Sequence, residues 1–594
     1  MKARRPQPRT TPPAAERGPV RQFVPAMLAL VMLVAVSYAP AVLWGGFVWD
    51  DVIITEAPPI RDAAGLWRIW FSPDDLKQWE GHYWPLLYTT FWLEHKLWGF
   101  APLGYHLVNL LLHSAVVLLA WHLLVRLGVP GAWFTAAVFA VHPLHTESVA
   151  WIIGRKDVLA ALFALACALS YMRFVEDRYG VRYFRALALF VAGLLSKSTI
   201  VTLPVAFVVW HWWKQERVTR VDWMRVLPFF AVGFFITVID WWIYKGKEVI
   251  FFDYSFLERV VIAARVLWFY VTKLVWPVDL PVIYPRWHVS VADPWGWVCV
   301  VAVAAVAVLL WHYRRRIGRG PLVAMLFFAV MLVPVLGFVD YGYMQFSFVA
   351  DRYQYLAGLG VIALLIAVVT AVLARPDVFQ SAPEGTPAGP LKGAFSDARH
   401  ISVGVVAVLV LVVLGTLTWR QSEIYHDRGT FFTHILSLNP EARGAQHNLG
   451  DWLGDEGRHE EALAVYRIAH EQRPDFATIV NKMGVQYESL GQPDEAEAHY
   501  RRALRMDPRH VHAINNLALL LTKREQPQDA LALYREVIRI DPRYVNAYVG
   551  MGVALGQMGR YAEALKTFEQ AQALAPGLPE ARANYEYMKR LVGK

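Results

Sequence analysis

Five prolines, Pro440, Pro474, Pro508, Pro542 and Pro576, stand thirty-four residues apart in the last quarter of the chain. Three other columns keep the same register: Ala462, Ala496, Ala530 and Ala564; Tyr466, Tyr500, Tyr534 and Phe568; and Gly450, Gly484, Ala518 and Gly552. A fixed period of this length marks a two-helix unit that cannot bury its apolar face alone and so stacks on copies of itself. Small residues let the paired helices approach, and the aromatics fill the seam between them. The C-terminal region must therefore be an α-solenoid.

The pattern is that of the tetratricopeptide repeat. Four repeats occupy about 443–578, a capping helix is expected at Arg582–Leu591, and the repeat domain as a whole is placed at 421–594. Such solenoids present a concave groove to a peptide or protein, or serve as a spacer.

The rest of the chain is of another kind. Long apolar runs recur from Phe23 to Trp419, mean hydropathy is +0.32 and only 18% of residues are charged, which together indicate a polytopic membrane protein. The 25 Trp suit bilayer interfaces, and the net charge of +9 fits cytoplasmic-loop Lys and Arg, not a nucleic-acid footprint. Cys167 and Cys299 both lie in apolar runs, which excludes a disulfide framework or a thiolate metal site. Residues 1–22 are read as a disordered basic cytoplasmic tail, 23–420 as the membrane domain, 45–103 as its first outer loop and 375–400 as a flexible cytoplasmic linker. About eleven spans are expected, including a short third span at 132–141 and a pair broken at Ser196–Thr199, where a helix break at membrane depth lines a cavity. The segment Leu257–Trp276 carries Arg259, Arg265 and Lys273 and is read as lying on or dipping into the membrane.

With this topology several polar stretches fall on one, non-cytoplasmic side. The first is Phe47-Val48-Trp49-Asp50-Asp51. A carboxylate among aromatics at the interface is partly desolvated, which raises its basicity and suits it to taking a proton from a hydroxyl. In the second, His142, His145 and Glu147 are, with Asp351 and His106, expected substrate or ion contacts, or merely cap the third span. Arg155, Lys156, Lys197 and Arg352, the last beside Asp351, are span-end cations that together suit a lipid phosphate. His106, Asn109 and His113 share one helix face, which is expected to line a polar cavity. Around His82-Tyr83-Trp84 the aromatic content suits an interface.

The ordered set of these motifs, together with Gly154-Arg155-Lys156-Asp157, Leu195-Ser196-Lys197 and Asp351-Arg352-Tyr353-Gln354-Tyr355-Leu356, resembles the transmembrane and tetratricopeptide-repeat-containing glycosyltransferases of the type C glycosyltransferase fold. The resemblance implies an all-α polytopic domain followed by the solenoid. It also implies an inverting transfer of a sugar, often mannose, from a polyprenyl-phosphate carrier to Ser or Thr of a protein. By that analogy Asp50 or Asp51 is the general base, with Asp50 preferred, and the cations stabilise the leaving phosphate. No cofactor is required on this reading, and a divalent cation held by the acid pair stays an alternative that is not expected. One departure is Ser198, where the family often has Glu after the Lys. The expected setting is a bacterial inner membrane with site and repeats periplasmic, or the lumenal face of the endoplasmic reticulum in a eukaryote. A lipid-linked sugar transporter or a non-catalytic envelope scaffold are the competing readings. The first predicts internal repeats among the spans; the second predicts that the acid pair is dispensable.

Overall fold

The computed structural model describes residues 20–75, 81–244, 252–373 and 391–592, all helical or irregular, with no strand among them. The basic tail, part of the first outer loop and most of the linker lie outside these residues. Two compact units emerge, 1–431 and 432–594, so the break falls eleven residues beyond the boundary expected at 421.

Among the described residues of the first unit, five helices are long and apolar enough to cross a bilayer: Pro102–Leu127, Arg155–Asp177, Arg220–Ile243, Pro294–Tyr313 and Ser402–Glu423. Shorter apolar helices run over Phe23–Ser37, Gly320–Val335 and Gly358–Leu373. Proline opens several elements, including Pro85–Trp98, Pro102–Leu127 and Pro294–Tyr313. At the first helical position its missing N–H is no loss. The turn after Leu127 uses Gly128 and Gly131, whose φ of +77° and +71° only glycine adopts without strain.

The expected third span is a nine-residue helix, Ala132–Ala140. Its rise of about 14 Å is under half the thickness of a bilayer core. His142-Pro143 stops it, and the chain continues through the short turns Pro143–His145 and Thr146–Val149, buried throughout. The expected break is present: Gly180–Leu194 ends, a tight turn covers Ser198–Thr202, and Leu203–Gln215 follows. Phe256–Val275 is an amphipathic helix opened by a Ser255/Glu258 capping box, with Val261, Ile262, Val266 and Tyr270 buried. Its Arg259 pairs with Asp340 at 2.9 Å.

The second unit is a run of helix pairs, from Arg443–Asp455 with His459–Gln472 to Val545–Gln557 with Tyr561–Leu574. The closing helix, Pro579–Val592, starts three residues earlier than expected, with Pro579 at its head. Tyr466, Tyr500, Tyr534 and Phe568 are fully or almost fully buried. Each contributes about 1.5–3 kcal/mol of apolar burial. The small-residue columns answer them: a Cβ on Gly450, Gly484 or Gly552 would lie 2.4, 2.6 or 2.7 Å from the facing ring of Tyr466, Tyr500 or Phe568.

Candidate active site

The site is built on the loop after the helix Ala39–Trp44. The chain runs extended past Gly45 and closes into the turn Trp49–Asp51. The two aspartates part company there. Asp51 is completely buried, and its carboxylate accepts the N–H of Val48 and, across 102 residues, the N–H of Ile153, both at 2.9 Å. Burial pushes its carboxyl up to about 8, against the two N–H groups and Lys156, which pull the other way; the charge of Asp50 adds to the rise. Asp50 is exposed. Trp49, between Val48 and the acids, holds a φ of +38°. It stacks on Trp151, with centroids 5.9 Å apart, and the Trp151 Nε1–H donates to the Val48 carbonyl at 3.3 Å.

Three of the four expected cations gather beyond this loop. Arg352 pairs with Glu147, whose second oxygen accepts the Arg352 backbone N–H at 2.8 Å. The guanidinium also lies over the rings of Tyr343 (4.4 Å) and Tyr353 (5.0 Å). Lys197 pairs with Asp157 and faces the Tyr353 ring at 5.6 Å. Lys156 sits over Trp84 at 5.3 Å. Asp157, Lys197, Arg352, Tyr353 and Tyr355 line a small polar cavity of about 30 Å³. Two of its walls, the stretches at Ile200 and Leu356, continue into Leu203 and Leu359, which line a larger apolar cavity of about 250 Å³ among the helices.

Arg155 is not brought to this cavity. It is fully buried, paired with Glu94, and donates to Asn109 Oδ1 (2.6 Å), the Tyr105 carbonyl (2.9 Å) and Thr90 Oγ1 (3.1 Å). It ties the first outer loop to the start of its own helix. The expected polar face of His106, Asn109 and His113 is a buried seam and not a cavity wall. The Asn109 amide donates to the carbonyls of Val149, Trp151 and Ile152, His113 Nδ1 lies 2.6 Å from the Tyr355 hydroxyl, and a Cβ on Gly45 would come within 2.6 Å of His106 Nε2. Irregular backbone at 140–152 has carbonyls to satisfy, and these side chains supply donors.

The His142–Glu147 stretch is likewise braced from within. His142 Nε2 lies 3.0 Å from the Leu274 carbonyl and His145 Nδ1 2.8 Å from that of Phe139. Burial pushes His142 down to about 4 and His145 well below its ordinary value, which favours the uncharged rings. Asp351 accepts the Tyr284 hydroxyl at 2.8 Å, and burial raises its carboxyl well above the usual range. Among the described residues, no three His, Cys, Asp or Glu side chains form a metal-holding group.

Three groups escaped the sequence reading. Asp240 accepts the Tyr83 N–H at 2.6 Å and lies 3.0 Å from His82 Nδ1 and 3.4 Å from Ser198 Oγ. A lone acid in an apolar helix was its available signal. Tyr425 and Phe431 follow the last apolar run and pack on the acid loop, with nothing in their sequence context to mark them.

The chain is 25% identical over 477 residues to "Protein O-mannosyl-transferase F38B6.6" of Caenorhabditis elegans, a match covering 75% of this chain and 63% of that one. It is 25% identical over 610 residues to "Protein O-mannosyl-transferase TMTC1" of Mus musculus, covering 80% and 62%. A stretch of 166 residues is 36% identical to "Protein O-mannosyl-transferase Tmtc1" of Drosophila melanogaster, covering 26% of this chain and 19% of that one. The matches thus span a little under two thirds of the first two relatives' length. Among solved structures, the tetratricopeptide protein YrrB matches 27% of the chain, and 81% of its own, at 20% identity and a TM-score of 0.23. Tetratricopeptide family models match residues 482–545 and 521–585, so the chain carries tetratricopeptide repeats besides several membrane-length apolar helices, and it is similar over about three quarters of its length to proteins named protein O-mannosyl-transferases.

Proposed function

We infer that the protein is a membrane glycosyltransferase that moves a sugar, mannose by analogy with its relatives' names, from a polyprenyl-phosphate carrier to a Ser or Thr hydroxyl of a protein, on the periplasmic or lumenal face. The observation that carries this reading is the division of labour between adjacent aspartates. Asp51 is locked by two backbone N–H groups, while Asp50 stands exposed beside it. An accessible carboxylate beside Trp49, which stacks on the Trp151 ring that the Arg352 guanidinium lies over at 5.8 Å, is the arrangement that general-base attack on a phosphate-activated sugar needs.

In the step proposed, Asp50 takes the acceptor hydroxyl's proton as that oxygen bonds to the anomeric carbon from the face opposite the phosphate. The carbon–oxygen bond to phosphate breaks, the electron pair leaves with the polyprenyl phosphate, and configuration inverts. Lys197, Arg352 and Lys156 oppose the phosphate charge; Asp157 and Glu147 hold the first two in place before substrate arrives. The apolar cavity, lined by Leu203 and Leu359 just beyond the stretches that wall the polar one, supports an isoprenoid tail. His106, His142, His145 and Asp351 serve as braces, and Glu147 acts through Arg352. No metal or cofactor enters this step.

The test is transfer of labelled mannose from polyprenyl-phosphate mannose to membrane-protein acceptors by the purified protein in lipid nanodiscs. Asp50→Asn abolishes transfer on this reading; full activity in that variant sinks it.

A further inference from the structure

The segment between the last membrane-length helix and the repeats is packed onto the acid loop. Tyr425 and Phe431 are both buried. The Gly46 N–H donates to the Tyr425 carbonyl at 3.1 Å, and a Cβ on Gly46 would come within 2.7 Å of the His426 carbonyl oxygen. The rings of Trp49, Trp151 and Phe431 form a triangle with centroids 5.9, 6.1 and 5.9 Å apart, and Tyr425 stands 5.6 Å from Phe431. Trp49 keeps its φ of +38° inside this triangle. A non-glycine residue persists in that region only where its surroundings over-determine it. Phe431 lies in the first turn of the helix Arg428–Leu438, by which the chain passes into the repeats.

We propose that Phe431 and Tyr425 are positioning residues for Asp50: they hold Trp49 in its left-handed conformation and so set the direction of the neighbouring carboxylate. The direction of Asp50 then follows the placement of the helix that carries Phe431. If that helix shifts, Trp49 loses one side of its ring stack, relaxes to negative φ, and turns Asp50 away with the shared peptide. The consequence for transfer rests on Asp50 as the base; the geometric coupling does not.

The experiment separates the two. In full-length protein in nanodiscs, the half-buried Cys299 is replaced by Ser, and Asp50→Cys reports its own accessibility through its labelling rate with a soluble maleimide. Phe431→Ala changes that rate by about two- to twelvefold, the effect of losing one aromatic pair. Phe431→Trp leaves it as it was. Gly46→Ala, which wedges a methyl group against the His426 carbonyl without touching the ring stack, changes the rate too. Labelling in both Phe431→Ala and Gly46→Ala equal to that of the reporter alone overturns the proposal. With Asp50 native, and provided Asp50→Asn is inactive, Phe431→Ala lowers kcat by the same roughly two- to twelvefold at unchanged donor KM; unchanged kcat in a folded Phe431→Ala variant then also overturns it. Should Asp50→Asn retain transfer, the base assignment fails while the labelling result still decides the coupling.

Discussion

Asp50 and Asp51 are chemically identical neighbours, so replacing each by Asn gives a controlled comparison. The Asp51 carboxylate satisfies two buried donors, the N–H groups of Val48 and Ile153. Asn keeps one acceptor oxygen and turns an NH₂ toward the other donor. One buried N–H is then unsatisfied, at about 1–3 kcal/mol. Asp51→Ala strands both, at about 2–6 kcal/mol by the same count. Asp50 is exposed, and a substitution at such a surface position stays within about 0.5 kcal/mol. The order reverses for the reaction, because removing a general base costs about 10²–10⁴-fold. Thermal unfolding in nanodiscs and initial rates of mannose transfer, measured on the same preparations, read the two effects apart. Asp50→Asn is expected to unfold with wild type and fail to transfer; Asp51→Asn is expected to unfold earlier and to keep activity below its transition. An Asp50→Asn protein that unfolds early but transfers normally would refute the division of roles.

Other expectations follow from single contacts. Because the Asp51 carboxyl rises from 3.8 to about 8 on folding, its stabilising contribution is complete below the lower value and is lost as pH rises through the upper one. The unfolding temperature of Asp51→Asn should therefore gain on wild type between about pH 4 and pH 8 and run parallel to it above that. Glu147→Gln removes the partner of the mostly buried Arg352, with a stability loss of about 3–5 kcal/mol readable by denaturant or thermal unfolding. Gly484→Ala places a Cβ 2.6 Å from the Tyr500 ring and should destabilise by about 1–3 kcal/mol. Gly444→Ala, with open space around it, should not. Ala206→Phe, in the wall of the apolar cavity, should raise donor KM and spare kcat, since tail binding is shared by ground and transition states.

The repeats were legible because their information is local. Each thirty-four-residue unit carries its own small residue, aromatic and turn, and the structure pairs Gly484 with Tyr500 as the register requires. The acid loop was legible as a motif but not as a geometry, since the group that immobilises Asp51, the N–H of Ile153, lies 102 residues away and backbone donors leave no mark in a sequence. Arg155 shows the same limit from the other side. As a cation at a helix start it reads like Lys156, yet Glu94, Asn109 and Tyr105 absorb it. The shared face of His106, Asn109 and His113 was correct as helix geometry; what it faces is irregular backbone with carbonyls to satisfy. The short helix Ala132–Ala140 passed for a span because composition measures apolarity, while crossing a bilayer is a matter of length.

Asp240 has a bearing on how the protein is made. It fastens His82 from 158 residues further along the chain. At about 5–20 residues per second, the ribosome needs roughly 8–30 s after making His82 to deliver that anchor, and longer to deliver Arg352 and Tyr425. During that interval the first long loop and its acid motif lack these fastenings. The half-made chain is then most open to membrane chaperones and proteases, and variants of Asp240 should be lost at synthesis before any defect in the finished protein is felt.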